Sequence, residues 1–140
     1  MADMLLDRLG DVKRDFADVL IIGARHSALV AALRARGSTV TLTEAHGGIA
    51  DQTGAIHCDE DQLAVEPGSF DLILWPGGLE SVNDVPGALL RCRLALRADG
   101  LLLGCLPGEG SLPRLRAACA RADGDRIVAR LHPQIAVGAL

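Results

Sequence analysis

Asp18-Val19-Leu20-Ile21-Ile22-Gly23 is the stretch that decides the fold. An unbroken apolar run this short, closed by a glycine, reads as a strand buried on both faces, the kind found inside parallel sheets. Ala24-Arg25-His26 follows, and Ser27 can then cap a helix that runs through Arg36. Leu29 and Leu33 fall on one row of that helix, and Gly37 stops it. Ser38 to Thr43 makes a second strand that ends at Glu44, so the pattern is strand, helix, strand.

The alternation continues outward in both directions. Upstream, Leu5, Leu9, Val12 and Phe16 sit at helical spacing, predicting a helix from Asp3 to Asp15. Downstream, Thr53 to Cys58 reads as a third strand, after a glycine-containing loop and a short helical turn. Ser69 to Trp75 reads as a fourth, broken by Pro76-Gly77-Gly78. Asp84 can cap a helix to Arg97, with Pro86 tolerated in the first turn. Ala98-Asp99-Gly100 is a turn before a fifth strand, Leu101 to Leu106. Ser111 can cap a last helix to Ala122, and Ile127 to Val137 reads as one more extended piece around Pro133. Helix-length connections between strands imply right-handed crossovers and a mainly parallel sheet. The expectation is one α/β domain over residues 1–140, a three-layer sandwich with strand order 3-2-1-4-5.

Composition narrows the function. The chain has 140 residues, 49% of them hydrophobic and 23% charged, which suits a folded domain. Aromatics are 2%, namely Phe16, Phe70 and Trp75, too few for an aromatic cage or a base-stacking platform. The net charge is −4, which argues against a nucleic-acid coat. No apolar run approaches a bilayer span, and the acidic start Met1-Ala2-Asp3 lacks the basic segment of a signal peptide. Cys58, Cys92, Cys105 and Cys119 form no C-x-x-C pair, so no metal site is expected, and scattered thiols fit a cytoplasmic protein.

In open parallel sheets, ligands sit beyond the carboxyl ends of the strands. Those ends are Gly23–Ser27, Glu44–Gly48, Cys58–Gln62 and Trp75–Val82. Gly23 keeps one glycine of a dinucleotide fingerprint and lacks the next two, which disfavours a dehydrogenase. Glu44 lies 21 residues beyond Gly23, where an acid can accept both hydroxyls of a ribose; equally, it can be an exposed loop acid. Asp59, Glu60 or Asp61 can accept the exocyclic amine of an adenine, or belong to a solvated acidic turn. Trp75 can pack against a ligand or close the end of the core. From Gly37 to Leu90 there are nine acids and no Lys or Arg. An edge so acidic repels polyphosphates and suits a cationic ligand, unless the acids only solvate the loops.

Taken together, Gly23, Glu44, Asp59, Ser69-Phe70-Asp71-Leu72-Ile73 and Leu96-Arg97-Ala98-Asp99-Gly100-Leu101 resemble the class I S-adenosylmethionine-dependent methyltransferases. Val82-Asn83-Asp84-Val85-Pro86-Gly87-Ala88-Leu89 and Leu112-Pro113-Arg114-Leu115-Arg116 are most similar to one branch. That branch holds the complex I assembly factor with arginine-hydroxylase activity and the malonyl-carrier methyltransferase. The resemblance implies a Rossmann-like sheet and S-adenosylmethionine as cofactor. It places Glu44 on the ribose and Asp59 on the adenine, beside Gly23; with Glu60 and Trp75, read from their places after the strands, these are the candidate cofactor-binding residues.

The same comparison marks departures. Ile21 stands where the family has the acid that holds the methionine amino group. Arg25 and Ser27 stand where it has glycines, and Glu80-Ser81 where the branch often has His-Trp. Two functional readings follow. One is an enzyme that holds an unassigned small-molecule or protein acceptor in line with a sulfonium methyl, with Glu80 or His26 as a base. The other is a methyltransferase-fold binding or assembly protein without turnover, and the uncharged Leu101–Leu106 edge invites a homodimer.

Overall fold

A computed structural model describes residues 2–106 and 113–123 of the chain. The chain divides into two compact units, Met1–Cys105 and Leu106–Leu140. The first holds a five-stranded sheet in the order β3-β2-β1-β4-β5, as the alternation predicts. Its strands are β1 (Asp18–Ile22), β2 (Thr39–Glu44), β3 (Ile56–His57), β4 (Phe70–Trp75) and β5 (Leu96–Gly104). All four pairings are parallel. Its helices are α1 (Ala2–Gly10), α2 (Ser27–Ala35), α3 (Gly47–Thr53) and α4 (Val85–Ala95). In the second unit the described element is α5 (Pro113–Asp123).

β1 and β4 are the centre of the sheet, and successive residues alternate between its two faces. Val19, Ile21, Leu72 and Leu74 pack on Leu9 of α1 and on Leu29 and Leu33 of α2. Leu20, Ile22, Ile73 and Trp75 pack on Ala88, Cys92 and Ala95 of α4. Helices therefore cover both faces, giving three layers. This is why Val19–Ile22 and Leu72–Trp75 are apolar without interruption: neither face of these stretches meets water.

Several boundaries differ from the sequence reading. α1 stops at Gly10, not Asp15, because glycine weakens the helix and Val12 N–H turns back to Leu9 O at 3.2 Å. Phe16 still packs on the α1–α2 side, but from the loop. Ser27 is the first residue of α2 rather than its cap; His26 holds the cap position and makes no side-chain cap bond. Asp84 does cap α4, its carboxylate accepting from Gly87 N–H at 3.0 Å. β3 shrinks to Ile56–His57, since Thr53 ends α3.

The largest difference is at β5. The strand begins at Leu96, which pairs with Phe70; pairing then resumes only at Leu101 opposite Leu72. The Ala98-Asp99-Gly100 turn is thus a bulge inside the strand, with Asp99 at φ 61°. Ser111 and the extended piece Ile127–Val137 lie outside the described residues. No helix among the described residues is long and apolar enough to cross a membrane.

Candidate functional site

Because every pairing is parallel, the carboxyl ends of the strands share one edge. The register sets Ile22 beside Thr43 and Glu44 beside His57, so the loops after β1, β2 and β3 are neighbours. Gly23 leaves β1 with φ +94°, a conformation that favours glycine. A Cβ at Gly23 would meet nothing within 4 Å, so backbone conformation and not crowding calls for glycine there. Its N–H donates to Thr43 O at 2.8 Å, stitching the loop to β2.

Glu44 is the organising residue. Its side chain is 7% exposed, and it lies at the last position of β2. Ala24 N–H donates to Oε2 at 3.1 Å and His46 N–H donates to Oε1 at 3.1 Å. One carboxylate therefore fixes the loops after both β1 and β2. Arg25 Nε stands 3.8 Å from Oε2, with the Arg25 side chain 65% exposed. Burial works to raise the Glu44 pKa, but the backbone bonds from His46 and Ala24, with the charges of Arg25 and His46, hold it below the ordinary value. Glu44 is therefore an anion held in place. A carboxylate has about four acceptor sites, so two backbone bonds leave acceptor capacity on both oxygens.

The neighbouring acids are arranged differently. Asp59 is exposed and turns its carboxylate back on its own short 3-10 turn, accepting from Asp61 N–H at 3.4 Å. Glu60 is half-buried within that turn. Asp61 accepts from Asp84 N–H at 3.3 Å, tying the loop after β3 to the start of α4. Cys58 N–H donates to Glu44 O at 3.2 Å, so the loop after β3 starts beside the end of β2. Glu80 accepts from Gly78 N–H at 3.1 Å within its own loop. His26 is half-buried at the start of α2.

Trp75 is 1% exposed and belongs to the core cluster against α4. Its ring closes the core, and its Nε1–H lacks a partner among the described residues. Gly23 and Glu44 are thus joined by one loop, Asp59 and Glu60 stand in the next, and Trp75 lies beneath the surface. Two features escape a reading of residue types. They are the backbone donors of Ala24 and His46 on Glu44, and the Arg25–Glu44 ion pair across the loop. The Glu-Ala-His spacing, an acid two residues before an N–H at a strand end, is the one trace of the first.

No protein-family model matches the chain. It is 31% identical over 110 residues to RP459 of Rickettsia prowazekii, provisionally named a methyltransferase; that match covers 75% of this chain and 49% of RP459. It is 28% identical over 130 residues to the mitochondrial arginine-hydroxylase NDUFAF5 of Mus musculus, covering 87% of this chain and 38% of that one. The chain thus spans about half the length, or less, of these curated relatives. Its fold matches the 1,6-didemethyltoxoflavin-N1-methyltransferase of Burkholderia thailandensis, solved with 1,6-didemethyltoxoflavin and S-adenosylhomocysteine. The TM-score is 0.54 at 24% identity, covering 72% of this chain and 48% of that one. The resemblance read from the Phe70-Asp71-Leu72-Ile73 strand and the Leu96–Leu101 segment therefore extends to both sequence relatives and fold.

Proposed function

We propose that this chain, which has the fold of the class I S-adenosylmethionine-dependent methyltransferases, binds an adenosyl ligand of that kind beyond the ends of β1, β2 and β3. The ligand is S-adenosylmethionine or its demethylated product. The observation that carries the reading is Glu44, an ionised carboxylate fixed by Ala24 and His46 N–H with acceptor capacity to spare. A ribose diol presents two donors to such a group. Gly23, with open space beside it, lets the ligand approach the backbone. Asp59 and Glu60, in the loop after β3 that starts beside the end of β2, would meet the adenine amine. When bound, S-adenosylmethionine supplies an electrophilic methyl group.

The donor set fits the adenosine half of that cofactor and not its cationic amino end. Ile21, at the position of the missing acid, is fully buried among Val19, Leu29 and Leu74 and accepts no hydrogen bond. This observation favours a second reading: a methyltransferase-fold protein that binds the ligand or a partner without turnover. The acceptor, in the catalytic reading, is a small molecule or a protein group. Free thiols at Cys58, Cys92 and Cys105 support a cytoplasmic setting. β5, whose described partner is β4 on one side, is the edge offered to a second copy.

Calorimetry with S-adenosylhomocysteine on the native protein and on Glu44→Ala tests the reading. Loss of charge-assisted bonds to the ligand weakens binding by about 1.5–3 kcal/mol, roughly ten- to a hundredfold. Equal affinity for native and variant protein places the ligand elsewhere.

A further inference from the structure

The loop after β1 carries a cation where the mouth of the proposed site opens. Arg25 extends into solvent, 65% exposed, with its Nε 3.8 Å from the buried Glu44 carboxylate. Ala24 and His46 N–H anchor the Glu44 carboxylate, and Arg25 stands at Oε2, the oxygen that also accepts from Ala24. The position two residues before Gly23 adds no compensating anion, because Ile21 faces the α1–α2 core. Around the Glu44 corner the Arg25 guanidinium therefore offsets the charge of the carboxylate. S-adenosylmethionine carries one more positive charge than S-adenosylhomocysteine, on the sulfonium next to the ribose. With Arg25 already beside the Glu44 carboxylate, that extra charge finds no free counter-ion at this corner.

We propose that Arg25 sets the charge preference of this site, selecting the neutral thioether S-adenosylhomocysteine over the sulfonium S-adenosylmethionine. The inference rests on the adenosyl-ligand reading and adds to it a specificity residue. Arg25 acts on two terms that separate cleanly. Its pairing with Glu44 competes with the ribose and weakens both ligands alike. Its charge weakens only the ligand that bears the extra cation. A unit charge roughly 6–8 Å away in a solvent-screened site changes affinity about three- to sevenfold. The opposing influence is the acidity of the same edge, from Asp59, Glu60, Asp61 and Glu80, which would favour the sulfonium if its field prevailed.

The experiment is titration calorimetry of the full chain with each of the two compounds, on native protein, Arg25→Gln and Arg25→Lys, at low and high salt. Native protein should bind S-adenosylhomocysteine more tightly. Arg25→Gln should tighten both ligands and narrow the ratio about three- to sevenfold. Arg25→Lys should keep the native ratio, and high salt should narrow it in the native protein more than in Arg25→Gln. Thermal melts of the variants check that this exposed substitution leaves the fold intact. Binding of both compounds with a ratio that Arg25→Gln does not move overturns the role of Arg25 and leaves the adenosyl site standing. Tighter native binding of the sulfonium overturns the role of Arg25 as well. Binding of neither compound overturns the adenosyl site and the inference with it.

Discussion

Asp71→Ala should be among the most damaging single substitutions in the sheet, though the residue lies at the edge opposite the candidate site. Asp71 is the second residue of β4 and its side chain is 15% exposed. Its Oδ2 accepts from Ala17 N–H at 3.2 Å and Asp18 N–H at 3.1 Å, at the entrance to β1. Its Oδ1 pairs with Arg97 Nη1 at 3.0 Å, and Arg97 Nη2 pairs with Asp18 at 2.8 Å. One carboxylate thus ties the start of β1 to β4 and, through the bulge, to β5. Alanine leaves two backbone donors and a guanidinium without this acceptor. Each charge-assisted bond contributes about 1.5–3 kcal/mol when sheltered, and water partly replaces those near the surface. The net loss should be about 2–3 kcal/mol, a fall in melting temperature of about 5–10 °C.

Urea denaturation of native protein and Asp71→Ala, read as a shift in midpoint at unchanged slope, measures this loss. A change below about 0.5 kcal/mol, the level of an ordinary surface substitution, refutes the clamp. The pH dependence gives a second check. The Asp18 N–H bond, opposed by burial and reinforced by Arg97, holds the Asp71 pKa below its ordinary value of 3.8. A depressed folded-state pKa means the stabilisation is fully present above the unfolded pKa and is lost as pH falls through the folded one. The gap between native and Asp71→Ala should therefore stay constant at neutral pH and close only below about pH 4.

Two further outcomes follow from the site. Gly23→Ala, at φ +94° with open space beside it, should lower stability by about 1–2 kcal/mol in urea denaturation through backbone strain alone. A variant as stable as the native protein contradicts that conformation. Glu44 also has a folded pKa below its ordinary value of 4.5, so the stability gap between native and Glu44→Gln should hold above that pH and close as pH falls beneath it. A gap that widens on acidification would show that the Glu44 carboxylate is not held as an anion.

The parts of the fold legible in the sequence are those where one physical demand dominates. Val19–Ile22 and Leu72–Trp75 have no wet face, so their sequences admit nothing but apolar residues, and the strand order follows from the crossovers they require. β3 was harder because Ile56 and His57 are both exposed, and a two-residue strand has no periodicity to read. The reach of β5 back to Leu96 was hidden for another reason. Ala98-Asp99-Gly100 has turn chemistry, and the structure uses that chemistry for a bulge inside the strand. Asp71 shows a third case. The Phe-Asp-Leu-Ile pattern is conspicuous as a motif, yet the acid works at the end of the sheet away from the candidate site, tying β4 to β1 and β5.

The candidate site was legible as a list of positions, and its electrostatics were not, because they depend on where each carboxylate finds its donors. Nine acids without a basic residue between Gly37 and Leu90 read as an edge awaiting a cation. In the fold, Glu44 takes the N–H groups of Ala24 and His46, Asp59 that of Asp61, Asp61 that of Asp84, and Glu80 that of Gly78. Glu44 and three loop acids thus organise backbone that would otherwise lack partners, as turn and cap residues do. Their charge remains, but it is placed to shape loops. At the Glu44 corner the neighbouring guanidinium is that of Arg25, which approaches from a different strand end. Sequence separation between Arg25 and Glu44 conceals that pairing; the parallel register of β1 against β2 creates it. Substituting Arg25 should therefore alter the ligand preference of this edge more than removing any one of the acids committed to their own loops.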